Sequence, residues 1–259
     1  MGMTNFDMTV VYYTSNYLEE HNPWFVENTK KQLIKAIGDY PLIIVSQKPM
    51  AKDDLLMQRP NTENIVVGDW GRHHLNIYKQ ILIGSKAAKT EWVALAEDDI
   101  FYSYEHFHTY APPHDKFAFD MSKVSLFSWT KPPMYSFRNK RRVVNHMIAR
   151  RDMLVDAMEE RFKRVDELQK EGKGDDFILP RFGDPGRYED RLGVTIRKSE
   201  EFYTTCPGIV LTHPDAYGYL NHGKRKRIGD LRIIELQYWG KASSMLELWN
   251  KDWKNYKHE

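Results

Sequence analysis

Three consecutive carboxylates, Glu97-Asp98-Asp99, close an apolar run, Trp92–Ala96. Adjacent carboxylates repel one another, which is unfavourable unless water or a cation relieves it. In extended backbone Glu97 and Asp99 project to one side and Asp98 to the other. Two same-side carboxylates make a hard-oxygen site suited to Mg²⁺ or Mn²⁺, ions that commonly share their coordination with substrate phosphates. A solvated turn after a strand is the plainer alternative. Counter-charge for phosphate is also present. Arg138-Asn139-Lys140-Arg141-Arg142 is followed closely by Arg150-Arg151, and Lys224-Arg225-Lys226-Arg227 forms a second cluster. Either cluster alone reads as a solvated face; beside an acidic site, both suit a phosphate-rich ligand.

The elements that must position these residues alternate through the first hundred positions. Met8–Tyr13 reads as a buried strand that ends in Thr14-Ser15-Asn16. Asn22-Pro23 reads as a helix start, with Gly38 as its C-terminal cap. Leu42–Val45 and Ile65–Val67 read as further strands, and His73 to Lys89 as a helix with Leu75, Tyr78, Ile81 and Leu82 on one side. Trp92–Ala96 is then a fourth strand. This order predicts an α/β fold, a mainly parallel central sheet flanked by helices. Ligands of such sheets bind at the carboxyl ends of the strands, where the triplet stands.

Downstream, Val124–Trp129 and Ile209–Thr212 read as strands, and Asp152 to Lys170 as a helix. Glu171–Arg187, with four glycines and two prolines among charges, reads as a loop. Ser244 and Glu247 suggest a capping box for a last helix, with Trp249, Trp253 and Tyr256 anchoring the tail. A single domain over 1–259 is expected.

The pattern strand-helix-strand-helix-strand followed by Glu97-Asp98-Asp99 resembles the GT-A (Rossmann-like) glycosyltransferases and their variable DxD motif, from Val10 to about Arg227. The resemblance implies a nucleoside-diphosphate sugar as donor, with a UDP-sugar favoured, about 1–100 being the nucleotide-sugar-binding half and about 101–259 the acceptor-binding half. It also implies a divalent cation, Mn²⁺ or Mg²⁺, on Asp99, with Glu97 and Asp98 contacting ribose or supporting the metal. The loop after the first strand, Tyr12-Tyr13-Thr14-Ser15-Asn16, would hold the base through Tyr12, Thr14 and Ser15. Tyr-Tyr in a strand is otherwise core. Arg72 would meet a phosphate or else a surface carboxylate. Asp190, with Glu189 as substitute, would be the base that deprotonates the acceptor; a turn salt-bridged to Arg187 or Arg191 is the rival. His213 would be a further metal ligand, with His222 its competitor, and Lys224, Arg225 and Arg227 would close over the diphosphate. The motif here is Glu-Asp-Asp and not a strict Asp-x-Asp, which leaves the roles of Glu97 and Asp98 open.

The only cysteine is Cys206, so an internal disulfide framework is impossible and a reducing compartment fits. With neither a signal-peptide pattern nor an apolar run of membrane-spanning length, a cytoplasmic protein is expected, in the host cytoplasm if phage-encoded. Basic clusters interleaved with Trp129, Tyr135 and Phe137 could follow a nucleic-acid backbone and stack on a displaced base. A hydroxymethylated base in double-stranded DNA, as some bacteriophages glycosylate, is therefore one acceptor; a surface glycan or a protein is the other. A sugar-phosphate nucleotidyltransferase fits less well, since Thr14-Ser15-Asn16-Tyr17 stands where its glycine-rich loop belongs. A non-catalytic nucleic-acid-binding protein would leave the acidic triplet without a reason.

Overall fold

The computed structural model describes residues 7–137, 142–214, 216, 220–221, 224–225 and 231–256. The central sheet has seven strands. They are β1 (Met8–Thr14), β2 (Leu42–Ser46), β3 (Thr62–Val66), β4 (Trp92–Glu97), β6 (Lys116–Asp120), β9 (Met147–Arg150) and β10 (Lys198–Phe202), in the order β10-β6-β9-β4-β1-β2-β3. β1, β2, β3 and β4 are mutually parallel, as are β6 and β10; β9 runs antiparallel to both its neighbours. The expected α/β class with a mainly parallel sheet flanked by helices is what the chain forms.

Alternation along the strands sends Val11, Tyr13, Val93 and Leu95 to one face, under α3 (His74–Ala87), α5 (Arg151–Lys170) and α6 (Asp175–Phe182). The opposite face carries Val10, Tyr12, Ala94 and Ala96 beneath α2 (Pro23–Ile37) and α4 (Tyr104–His108). A second sheet, β14-β8-β7-β11-β5, joins β5 (Ile100–Phe101), β7 (Lys123–Phe127), β8 (Tyr135–Phe137), β11 (Gly208–Thr212) and β14 (Arg232–Ile233). It packs with α8 (Ala242–Trp249) and the start of α2 around a third apolar cluster.

Local signals explain most boundaries. Asn22 caps α2 by accepting a hydrogen bond from Phe25 N–H at 3.1 Å, and Gly38 ends the helix at φ 55°. Three departures from the sequence reading stand out. Glu171–Arg187 is not all loop: α6 follows Gly174, with Asp175 and Asp176 in its first turn, and Ile178 and Phe182 fill the core. Pro180 is accommodated in the last turn of this short helix. Ser244 and Glu247 lie inside α8, whose N-cap is Lys241, so they are no capping box. β6, β9 and β10 add to the strands that the sequence predicts.

α3 lies directly on β1 and β2 through Gly84, where an added Cβ would stand 2.4 Å from Val11 Cγ1 and 2.9 Å from Val45 Cγ2. Gly84→Val therefore overpacks the layer that carries the ends of both strands. Overpacking costs about 1–3 kcal/mol, at ~2–4 °C of Tm per kcal/mol. A melting curve should show Tm several degrees lower; an unchanged Tm would mean that this helix–sheet contact is loose.

Candidate active site

β4 carries the acidic triplet to the carboxyl edge of the sheet, but the extended backbone ends at Glu97. Asp98 and Asp99 form a turn that delivers the chain into β5 of the second sheet. The same-side argument for Glu97 and Asp99 therefore fails: the strand geometry that it requires stops at Glu97. What the turn does instead is give each carboxylate a separate setting.

Asp98 points to the α2 side. Its Oδ2 accepts from the Thr14 hydroxyl at 2.6 Å, and its carbonyl accepts from Thr29 Oγ1 at 2.9 Å. Burial pushes the Asp98 carboxyl up, against the Thr14 hydrogen bond and the Lys30 charge, which both pull it down. Glu97 is held by Asn145, whose Nδ2 donates to its Oε2. Asp99 is placed through its backbone: its carbonyl accepts from Leu211 N–H at 3.4 Å, where β11 runs antiparallel to β5. That pairing also brings the end of β11, and hence His213, alongside the turn. The His213 ring is fully buried, edge-on to Phe25 at 5.2 Å and tilted against Trp249 at 5.8 Å. Among the described residues, no three His, Cys, Asp or Glu side chains converge as a metal-ligand group.

The loops around the triplet are fastened to one another. Asn16, at φ 61°, accepts from Lys48 N–H at 2.9 Å and so ties the loop after β1 to the loop after β2. Gln47 then ties that second loop to the segment before α3, donating to the Gly71 carbonyl at 2.9 Å and accepting from Trp70 N–H at 3.0 Å. Buried Gln80 of α3 donates to the carbonyls of Thr14 and Val45 at 2.8 and 2.9 Å, closing the ends of β1 and β2. Neither glutamine carries a sequence signal. Their roles depend on loops that meet only in the fold.

Arg72 crosses this rim and lies over the Tyr17 ring, 3.8 Å from its centroid; Tyr17 in turn stacks on His21. The side chain is thus directed across the mouth of the first loop. Ser15 Oγ accepts from Tyr17 N–H at 3.4 Å. Tyr12 is 1% exposed within the α2-side core, the packing position that a strand tyrosine ordinarily takes.

Glu189 and Asp190 begin α7 (Glu189–Leu192) and are treated very differently. Glu189 is buried, 3.0 Å from Arg161, a guanidinium with no exposed surface, and it also accepts from Gly186 N–H. Arg161 further donates to the carbonyls of Asp184 and Arg187 at 3.2 and 3.3 Å, so one buried cation fixes the whole segment before α7. Asp190 is exposed. The rival reading of a turn bridged to Arg187 or Arg191 is also replaced. Both guanidiniums lie over the Tyr188 ring, at 4.4 and 4.2 Å, and Tyr188 itself adopts φ 65°.

This segment is joined to α3 and to the chain before Asn145 by two contacts. Asp184 accepts from the Tyr78 hydroxyl at 2.8 Å, and Arg187 donates to the Arg142 carbonyl at 2.9 Å, close before Asn145. The Tyr78 hydroxyl is held well above its usual range by burial, then by Asp184, and also by the charge of Glu97. Behind α7, Glu160 of α5 accepts from Thr195 N–H, Thr195 Oγ1 and Arg197 at 2.8, 2.7 and 2.7 Å. Burial pushes this carboxyl up, but the Thr195 and Arg197 donors outweigh it and hold the group at about 2. A depressed carboxylate stabilises the fold above its unfolded pKa, near ~4.3, and that contribution is lost as pH falls towards the folded value. Glu160→Gln should therefore flatten the acid side of the stability–pH curve between about pH 4 and 2; urea titrations across that window that match wild type in slope would sink the assignment.

Lys224 and Arg225 form a short strand, β13, antiparallel to Leu220–Asn221. Their side chains, together with His222, Lys226, Arg227 and Arg138–Arg141 of the first basic cluster, lie outside the described residues. No helix among the described residues is long and apolar enough to cross a membrane.

No protein-family model and no curated protein matches the chain. Among solved structures it is similar to the glycosyltransferase GlyE of Streptococcus pneumoniae TIGR4, at 13% identity and TM-score 0.45, over 76% of this chain and 46% of that one. It is also similar to S. aureus TarS 1-349 in complex with UDP, at 12% identity and TM-score 0.41, over 83% and 63%. A third likeness is to CMP:2-keto-3-deoxy-manno-octonic acid synthetase complexed with CTP, at 12% identity and TM-score 0.43, over 80% and 94%. The chain spans about half the length of the GlyE chain it matches. Likeness this distant leaves function to be argued from the chain's own geometry.

Proposed function

We propose that the chain is a glycosyltransferase that moves a sugar from a nucleoside-diphosphate sugar, a UDP-sugar first among them, to an acceptor hydroxyl. The observation that carries this reading is the meeting, at the carboxyl edge of a mainly parallel sheet, of an acidic turn with three mutually fastened loops. That edge is where such sheets take nucleotide ligands, and Thr14, Arg72 and the triplet all stand on it.

A divalent cation fits the chemistry of the turn. Glu97 and Asp98 accept from Asn145 and Thr14, while Asp99 is oriented by its backbone. Mg²⁺ or Mn²⁺ shared with a diphosphate takes only one or two protein carboxylates, so a three-residue cage is not required. Asp99 is the first ligand in this reading and His213 the second. When bound, the ion would supply positive charge against the departing nucleoside diphosphate. The chain's own part is to place donor and acceptor and to move one proton. Asp190 takes the proton from the acceptor hydroxyl as its oxygen bonds to the anomeric carbon, and the bond from that carbon to the diphosphate breaks with its electron pair leaving on phosphate. With Asp190 as base, configuration inverts.

The test is thermal stability with UDP, GDP and their sugar conjugates, each with and without Mn²⁺. A metal-dependent upward shift with one nucleotide identifies the donor base. No shift with any of them removes the donor site. For the acceptor, binding to duplex DNA with hydroxymethylated bases that weakens steeply with salt favours a nucleic acid; salt-insensitive binding favours a glycan or protein hydroxyl.

A further inference from the structure

A chain of three hydrogen-bonded residues, His146, Asn145 and Glu97, runs from the interior to the first carboxylate of the triplet, and its polarity is fixed from one end. Glu97 as a carboxylate can only accept, so Asn145 must turn its amide nitrogen towards Glu97 Oε2. The Asn145 Oδ1 then faces His146 Nδ1 at 2.8 Å. An amide oxygen can only accept, so His146 carries its proton on Nδ1. Burial, then the charges of Lys123 and His106, hold the His146 imidazole well below its usual range, so Nε2 is left bare. That nitrogen faces Gly208, the first residue of β11, where an added Cβ would stand 2.7 Å away. A second route closes on the same pair: the Tyr102 hydroxyl donates to the Asn145 carbonyl at 2.8 Å and accepts from Glu97 N–H at 3.1 Å.

Packing alone does not demand this arrangement. His146 is fully buried, and Asn145 stands at the rim of the site with one end inside and one end on the triplet. An apolar pair would fill the volume without aiming a carboxylate. We propose that Asn145 and His146 are positioning residues that set the rotamer of Glu97 towards the bound nucleotide sugar, with Gly208 left without a side chain so that His146 can hold its place. The inference rests on the donor-site reading above. Glu97 is then the member of the triplet with a fixed aim, supplied from behind, and its contact is with the donor.

The experiment measures the nucleotide-dependent rise in Tm with UDP, UDP-sugar and Mn²⁺, relative to each variant's own ligand-free Tm. Asn145→Ala should lose most of the rise, and Glu97→Gln should lose a similar share. The double variant should lose no more than either single one, because both remove the same aim. His146→Leu should reproduce the loss, whereas His146→Asn, which keeps a donor near Nδ1, should restore most of it. Gly208→Ala, which touches no ligand, should also diminish the rise by displacing His146. A merely structural role would lower the ligand-free Tm and leave the rise intact. Asn145→Ala or His146→Leu with a full rise overturns the proposal while the donor site stands. Absence of any rise in the wild type removes the donor site, and the proposal with it.

Discussion

Asp99→Asn is expected to abolish the Mn²⁺-dependent stabilisation by nucleotide and to lower sugar transfer by ~10³-fold or more, while leaving the ligand-free melting temperature close to wild type. The substitution is isosteric. It keeps the Leu211 N–H to Asp99 carbonyl bond that sets the turn, and it leaves the Thr14–Asp98 and Asn145–Glu97 hydrogen bonds untouched. The substitution removes the negative charge of Asp99. At ligand near 100 times Kd, binding to the folded state stabilises by about 2.7 kcal/mol, which at ~2–4 °C per kcal/mol is a shift of several degrees. Its disappearance in the Asn variant is therefore easy to read. Asp98→Asn should behave differently: it keeps the Thr29 bond to the backbone carbonyl but weakens the charge-assisted Thr14 bond inside the fold, so its effect should show first in the ligand-free Tm. If Asp99→Asn keeps the full metal-linked shift, the ion is held elsewhere and the assignment of the turn is wrong.

The contrast between these two neighbours shows what sequence could and could not supply. That three carboxylates end a buried strand was legible, because the apolar run Trp92–Ala96 and the acidic triplet are both local. Which carboxylate does what was not. Thr14 and Asp98 lie 84 residues apart, and Asn145 reaches Glu97 only because β9 inserts antiparallel beside β4. β9 is not legible in the sequence because four residues, Met147–Arg150, give too short a run to show alternation before α5 begins. β10 is hidden for another reason: Lys198–Phe202 is an edge strand whose charged residues look like loop. The helices fared better. The caps of α2 at Asn22 and Gly38 were in the sequence and are in the structure, since capping is decided within a few residues. α6 is masked in the sequence by the glycines on either side of it and by Pro180 within it, although Asp175 and Asp176 behind Gly174 are a start signal.

The same distinction decides the expected base. Asp190→Asn should lower kcat by ~10²–10⁴-fold with the nucleotide-dependent rise in Tm preserved, since a general base acts on the acceptor and not on the donor. The sequence offers Asp190 as the base with Glu189 as its substitute. The structure separates them: Glu189 is committed to Arg161 and the Gly186 N–H, while Asp190 is exposed on the same short helix. Removing one member of a buried pair leaves an uncompensated charge and costs about 3–5 kcal/mol. Glu189→Gln should thus fail chiefly by loss of fold, with Tm falling several degrees before any ligand is added. Asp190→Asn should melt like wild type, because its side chain supports nothing in the core. Product stereochemistry completes the test. An inverted anomeric centre together with a kcat-selective loss in Asp190→Asn fits base catalysis from α7. A retained configuration with little loss in that variant would turn the segment from Gly183 to Leu192 into an acceptor-shaping element, braced by Arg161, with the proton leaving by another group.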